Sequence, residues 1–192
     1  MSDYMVTEST GPRAVRYRRI VMWIHWITAI LVVSQVYIGF TFDDLPRGSE
    51  ERAFVFGWHK TWGALILVLA LIRLSIRLVN PPPLYPSDYP KWQRFIAVWN
   101  HRLFYFLLVA LPLTGLAAVS GRAEDGWVPL QLGLQLPAIP GIAAENDFGD
   151  VHEVLVWTTL ALVVLHVGAA LYNQFLSPTN VADRMWPFKA RR

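Results

Sequence analysis

Five histidines, His25, His59, His101, His152 and His166, carry whatever coordination chemistry this sequence has, because it contains no cysteine. The missing thiols exclude a disulfide framework, a Cys-ligated zinc or iron–sulfur centre, c-type haem attachment and a thiol nucleophile. His152 and His166 stand 14 residues apart. On a helix that interval is about 21 Å along the axis and about 40° short of four whole turns, so both rings project from nearly one face. Arg73 follows His59 at the same 14-residue interval, and Lys60 adjoins His59. Imidazoles so placed serve metal ligation, proton transfer or hydrogen bonding between helices. Which of these applies depends on the depth and the partner that the surrounding elements give each ring.

Those elements are apolar. Of 192 residues 54% are hydrophobic and 16% charged, against the roughly 25% charge of a soluble domain. Four spans are predicted, over about 20–42, 54–78, 100–121 and 152–176. The first has 23 uncharged residues between Arg19 and Asp43, enough to cross a hydrocarbon core of about 30 Å at about 1.5 Å per residue. It exceeds the h-region of a signal peptide, and no small-residue cleavage site follows it. Lys60, Arg73 and Arg77 interrupt the second span, and Pro112 is predicted to bend the third. Residues 79–90 are too rich in proline for a helix and read as a surface connection. The stretch 126–144 is apolar but broken by Pro129, Pro137 and Pro140, and reads as an interfacial loop or short helix.

The predicted fold is therefore all-α, an integral membrane four-helix bundle. Residues 1–19 form a cytoplasmic segment, 20–176 the four-helix transmembrane domain, and 177–192 a cytoplasmic tail. With alternate sides assigned, the side of the N-terminus holds thirteen cations against four acids and the other side four against ten. The positive-inside rule then places both termini in the cytoplasm. The basic balance is topological, and no nucleic-acid-binding stripe is present.

Depth now sorts the histidines. His25 and His166 fall near the cytoplasmic face, His59 and His152 near the opposite one. Two matched pairs in a four-helix bundle suit two b-type haems, whose six-coordinate iron takes an imidazole from each side. No Glu-x-x-His motif supports a carboxylate di-iron site instead. Arg73 falls at the depth of the His25/His166 pair and is expected to face a haem propionate. The alternative is snorkelling to the headgroups, more so for Arg77. Lys60 is a candidate for a propionate or for drawing in an anionic substrate. His101 has no partner in this scheme; it is either an interfacial hydrogen-bonding residue or a group for substrate binding or proton transfer. Lys60 and His101 are thus the catalytic candidates. Gly57, Gly63, Gly115 and Gly168 allow close approach of a porphyrin or another helix.

Four segments taken together resemble the bacterial cytochrome b561 family over nearly the whole chain: R-I-V-M-W-I-H-W around His25; G-W-H-K-T-W-G with the later R-L-S-I-R; N-H-R-L-F-Y-F-L-L-V-A-L-P-L-T-G; and H-E-V-L-V-W-T-T-L-A-L-V-V-L-H-V-G-A-A-L. The resemblance implies an inner-membrane protein with two b haems and carries the ligand roles onto His25, His59, His152 and His166. It also implies electron exchange with quinone. Members of the family include a superoxide oxidase, which passes an electron from superoxide at the outer face to ubiquinone. After Ala170 this chain reads L-Y-N-Q-F, where relatives often carry two adjacent histidines. A quinone site built on those histidines does not transfer to it.

No Rossmann or P-loop glycine motif, flavin fingerprint or soluble domain is present, so donors and acceptors must be small, lipid-borne or separate proteins. The leading expectation is a di-haem electron-transfer protein coupled to the quinone pool of the bacterial inner membrane, oxidising superoxide at the periplasmic face. That face carries a net charge of −6, which opposes an anionic substrate unless Lys60, Arg52 or Arg122 makes a local positive funnel. Two alternatives stand beside it. One is a cytochrome b anchor subunit for a periplasmic hydrogenase or dehydrogenase. The other is a haem-free ion or proton transporter lined by the intramembrane histidines and arginines.

Overall fold

The computed structural model describes residues 17–85, 89–177 and 181–185. Arg13 and Arg16 of the basic leader, and Lys189, Arg191 and Arg192 of the tail, lie outside the described residues. The apolar runs fold as four helices, α1 (Arg19–Asp44), α2 (Glu50–Val79), α3 (Lys91–Ser120) and α4 (Phe148–Phe175). A helix meets its backbone hydrogen bonds within its own segment, as hydrocarbon demands. All four are long and apolar enough to cross a membrane, and the chain is a multi-pass membrane protein.

Local chemistry sets the helix ends. Ser49 caps α2, its side chain accepting the Arg52 backbone N–H at 3.1 Å, and Glu50 and Glu51 in the first turn suit the positive end of the dipole. Helix α3 begins directly after Pro90, nine residues ahead of the third predicted span. Its first turns carry Lys91 and Arg94, charges that hydropathy counts against a span although a helix protruding from a bilayer accommodates them. The same helix continues through Pro112.

The exposure pattern is that of a protein whose solvent is lipid. Ile30, Val33 and Val164 are 63%, 65% and 71% exposed, while the buried core is small, centred on Ile66, Ala70 and Leu108 with Leu31, Val32 and Val109 packed around it. The close helix pairs are α1 with α2, α2 with α3, and α3 with α4. Helix α4 approaches α1 and α2 far less closely. That standoff is what the candidate site occupies.

Both ends of the bundle are closed by short elements. At the end where α1 begins and α4 stops, the Tyr17 backbone N–H donates to Arg184 O at 3.3 Å and Trp26 Nε1 donates to Met185 O at 3.0 Å. Arg184 is buried, 5.9 Å from the Tyr85 ring. Burial pushes the Tyr85 and Tyr89 hydroxyls above their ordinary pKa, with Arg184 pulling the other way.

At the far end the stretch expected as a loop or short helix is a hairpin. Strands β1 (Trp127–Pro129) and β2 (Gln135–Pro137) pair antiparallel across a 3-10 turn at Gln131–Gly133. Pro129 and Pro137 end their strands, where no further ladder donor is required, and Leu132 and Gly133 take positive φ to reverse the chain. Gln131 docks this hairpin on α2: its backbone N–H donates to Thr61 Oγ1 and its side chain to Phe54 O, both at 2.8 Å. A Cβ at Gly57 would collide with the Gln131 side chain, so the small residue there serves the hairpin.

Candidate functional site

Across the gap between α4 and its neighbours, four imidazoles meet in two pairs. His25 of α1 faces His166 of α4 with ring centres 6.3 Å apart, at the end where α1 begins. His59 of α2 faces His152 of α4 at 6.2 Å, at the far end. Two imidazoles held on opposite sides of one metal ion, with metal–nitrogen bonds of about 2.0–2.1 Å and about 1.1 Å from nitrogen to ring centre, have centres about 6.2–6.4 Å apart. Both pairs have that spacing. Among the described residues no three histidine or carboxylate side chains converge to hold a metal ion by themselves. A metal held by either pair would take its remaining donors from the group that carries it.

The hydrogen bonds of the two α4 rings fit the same role. His166 Nδ1 lies 3.1 Å from Asn100 Oδ1 on α3, and His152 Nδ1 lies 2.9 Å from Leu111 O on α3. Carboxamide and carbonyl oxygens only accept, so each ring carries its proton on Nδ1 and keeps the Nε2 lone pair for a metal. Leu111 O also accepts from Thr114 Oγ1 at 2.9 Å. Gly115 makes room for the ring, since a Cβ there would lie 3.2 Å from both Nδ1 and Cε1 of His152.

The facing rings are less constrained. His59 Nδ1 and Gln35 Oε1 are both buried without a hydrogen-bond partner among the described residues, although Gln35 Nε2 donates to the His59 carbonyl at 2.6 Å. Gly39 lies against the same ring, with its would-be Cβ 3.4 Å from His59 Cε1. Phe42 and Phe56 enclose it at 5.1 and 6.3 Å. At the other level Arg73 Nη2 donates to His25 Nδ1 at 3.3 Å, and its guanidinium lies 5.9 Å from the Tyr105 ring. A His25 ring that gives Nε2 to a metal carries its proton on Nδ1, which frees Arg73 for an anion.

The remaining candidates divide. Lys60 Nζ lies 5.1 Å from the Phe56 ring, which itself stacks on His59, so this cation stands beside the far pair. His101 bonds its own helix through Ala97 O at 2.6 Å, and its ring centre lies 5.5 Å from that of His166; it therefore adjoins the first pair. Gly63 lies beside Gln35, while Gly168 meets open space. Arg52 is turned away from any funnel: Nη1 binds Phe42 O, Asp43 O and Leu45 O, and Nη2 pairs with Asp43 at 3.5 Å. Arg122 is exposed. Sequence reasoning missed Asn100, Gln35 and Gly39. A lone amide or glycine in an apolar run carried the only signal, and without a partner in space it reads as packing.

Residues 16–188 match the sequence model of a family described as prokaryotic cytochrome b561. The chain is 28% identical to cytochrome b561 homolog 1 of Escherichia coli K12, the alignment covering 90% of this chain and 97% of that one. It is 30% identical to the probable superoxide oxidase CybB of Yersinia pestis, over 91% of this chain and 97% of that one. It is 24% identical to the probable Ni/Fe-hydrogenase B-type cytochrome subunit of Rhizobium leguminosarum bv. viciae, over 84% and 82%.

Proposed function

The chain belongs to the prokaryotic cytochrome b561 family, whose members bind b-type haem, and from that premise we propose that it is a two-haem electron-transfer protein of the bacterial inner membrane. One haem is held between His25 and His166, the other between His59 and His152, and both termini lie in the cytoplasm. The observation that carries this reading is the pair of imidazole couples at 6.3 and 6.2 Å, spaced for one metal ion each. A bound b haem supplies a one-electron iron couple. The chain's part is to fix the ligands through Asn100 and Leu111 O, to offer Arg73 to a propionate, and to keep water from the imidazoles with Phe42, Phe56 and Phe104.

The reaction is proposed to be oxidation of superoxide at the periplasmic face and reduction of ubiquinone. Two superoxide anions, one quinone and two protons become two dioxygen molecules and one quinol. The likeness to a probable superoxide oxidase supports it. With Arg52 held by α1, Lys60 is the cation beside the periplasmic pair, drawing an anion toward a face of net charge −6.

A second reading keeps the haems and makes the chain the membrane anchor of a periplasmic oxidoreductase. It is favoured by the likeness to a probable hydrogenase B-type cytochrome subunit and by the exposed Trp127, Leu132 and Leu134 of the hairpin. The deciding measurement is haem per chain by pyridine haemochrome, followed by exposure of the oxidised protein to a superoxide-generating system. Two haems and rapid superoxide-driven reduction are expected. Two haems with no response to superoxide, and a second polypeptide co-purifying, would favour the anchor. Folded protein without haem would leave the ion or proton transporter.

A further inference from the structure

Three guanidinium groups gather at the end where α1 begins and α4 stops, and none of them belongs to an imidazole pair. Arg184 lies on the short 3-10 helix Val181–Met185, Arg77 in the last turn of α2 and Arg94 in the first turn of α3. Tyr85 is their common neighbour. Arg184 and Arg94 sit 5.9 and 5.7 Å from its ring, and Arg77 acts together with Arg184 on its hydroxyl. Tyr89 stacks on Tyr85 with ring centres 5.0 Å apart.

Nothing described there balances the charge. The Arg52–Asp43 bridge is the only ion pair among the described residues, so Asp183, beside Arg184 in sequence, pairs with none of the three. The tyrosines cannot serve, because burial holds both hydroxyls above their ordinary pKa and therefore protonated. Yet Arg184 is only 8% exposed, and its Nη1 donates to Pro83 O at a long 3.4 Å. Burying a guanidinium without a counter-anion is unfavourable. Helix α3 repeats the puzzle: Lys91 and Arg94 stand, with no acid, in a first turn whose dipole favours negative charge.

An anion held among the three arginines answers both. Exposure grades from buried Arg184 through half-buried Arg77 to exposed Arg94, so the cluster opens outward. Leu78 and Val79, which follow Arg77, and Phe95, which follows Arg94, are exposed apolar side chains on lipid-facing helices. Such a rim suits an anion that carries acyl chains, and the ends of spanning helices stand at the depth of headgroup phosphates. We propose that Arg184, Arg94 and Arg77 bind the phosphate headgroup of an anionic phospholipid, with Arg184 at the floor of the site and Arg94 at its mouth. The phosphate oxygens accept from the guanidinium N–H groups, with the Tyr85 hydroxyl as a further donor. The bound lipid ties the 3-10 helix to the ends of α2 and α3. The site is independent of the haem and quinone readings.

The test counts lipid bound to the purified full chain in detergent by native mass spectrometry, titrating phosphatidylglycerol and, separately, phosphatidylcholine. Wild type is expected to take up one phosphatidylglycerol about tenfold more tightly than phosphatidylcholine. Arg184→Gln and Arg94→Gln are each expected to abolish that preference with haem content unchanged. Arg94 is exposed and lies on a different element, so its variant decides the matter should Arg184→Gln fail to fold. Arg19→Gln, at an exposed cation of the same end outside the cluster, is expected to keep the preference. Equal affinity of wild type for the two lipids, an unchanged preference in the folded cluster variants, or an equal loss in Arg19→Gln would overturn the site. Displacement of phosphatidylglycerol by inorganic phosphate at matching concentration would overturn the lipid as its occupant.

Discussion

At the scale of the residue, the four paired imidazoles differ in how their second nitrogen is held, and that difference makes them separately testable. His152 and His166 are oriented by α3 through Leu111 O and Asn100. Replacing His59 or His152 by Ala is expected to remove the haem between them and leave the other, halving haem per chain. Replacing His25 or His166 is expected to do the converse, and equal loss of both haems from all four folded variants would sink the pairing. His59 Nδ1 and Gln35 Oε1 are a complementary donor and acceptor, both buried and unmet, on residues already joined through Gln35 Nε2 and the His59 carbonyl. Hydrogen bonding at Nδ1 makes an imidazole a stronger ligand. Gln35→Leu is therefore expected to raise the midpoint potential of the His59/His152 haem and leave the other unmoved. A bond of about 1 kcal/mol corresponds to about 40 mV in a one-electron couple. Potentiometric titration reads both transitions in one experiment, and equal shifts in the two would remove Gln35 from this role.

At the scale of the element, helix ends decide which charges are free to act. Helix α1 has no basic residue in its last turn, and Arg52 supplies that charge from α2, donating to Leu45 O at 2.8 Å and to Phe42 O and Asp43 O. The sequence shows Arg52 only as a loop-side cation near the candidate site, because the turn that folds α2 back on α1 is not written in either helix alone. Hydrogen bonds from a charged donor contribute about 1.5–3 kcal/mol, so Arg52→Ala is expected to destabilise the α1–α2 hairpin by about 2 kcal/mol. Thermal denaturation of the haem-loaded protein, followed at the Soret band, should show the lowered midpoint with the haem potentials unchanged. The four helices themselves were legible as long apolar runs, the second despite Lys60, Arg73 and Arg77. The hairpin over 127–137 was not, since its strands of three residues carry no alternation long enough to read. The first turns of α3 were hidden by Lys91 and Arg94. Histidine depth was readable because the 14-residue interval maps onto one helix face, whereas Asn100 and Gln35 acquire meaning only when another helix brings an imidazole to them.

At the scale of the whole molecule, the remaining question is which way the bundle faces, and charge answers it with a prediction that the chain is well suited to test. The side of both termini carries thirteen cations against four acids and the other side four against ten. Lys and Arg near span ends are retained in the cytoplasm during insertion. The connection between α2 and α3 should then be cytoplasmic and the hairpin between α3 and α4 periplasmic. The chain has no cysteine, so a single introduced thiol is the only one present. Leu84 in the first connection and Leu132 at the hairpin tip are 86% and 77% exposed, and neither side chain is needed for packing. In right-side-out spheroplasts a membrane-impermeant maleimide is expected to label Leu132→Cys and to spare Leu84→Cys until the cells are lysed. The reverse pattern would invert the protein and place Lys60 and the His59/His152 pair in the cytoplasm. Superoxide formed outside would then meet the arginine-rich end instead, and Arg73 rather than Lys60 would be the cation beside the entry pair. The labelling pattern thus tests orientation and, with it, which of the two imidazole pairs receives the electron.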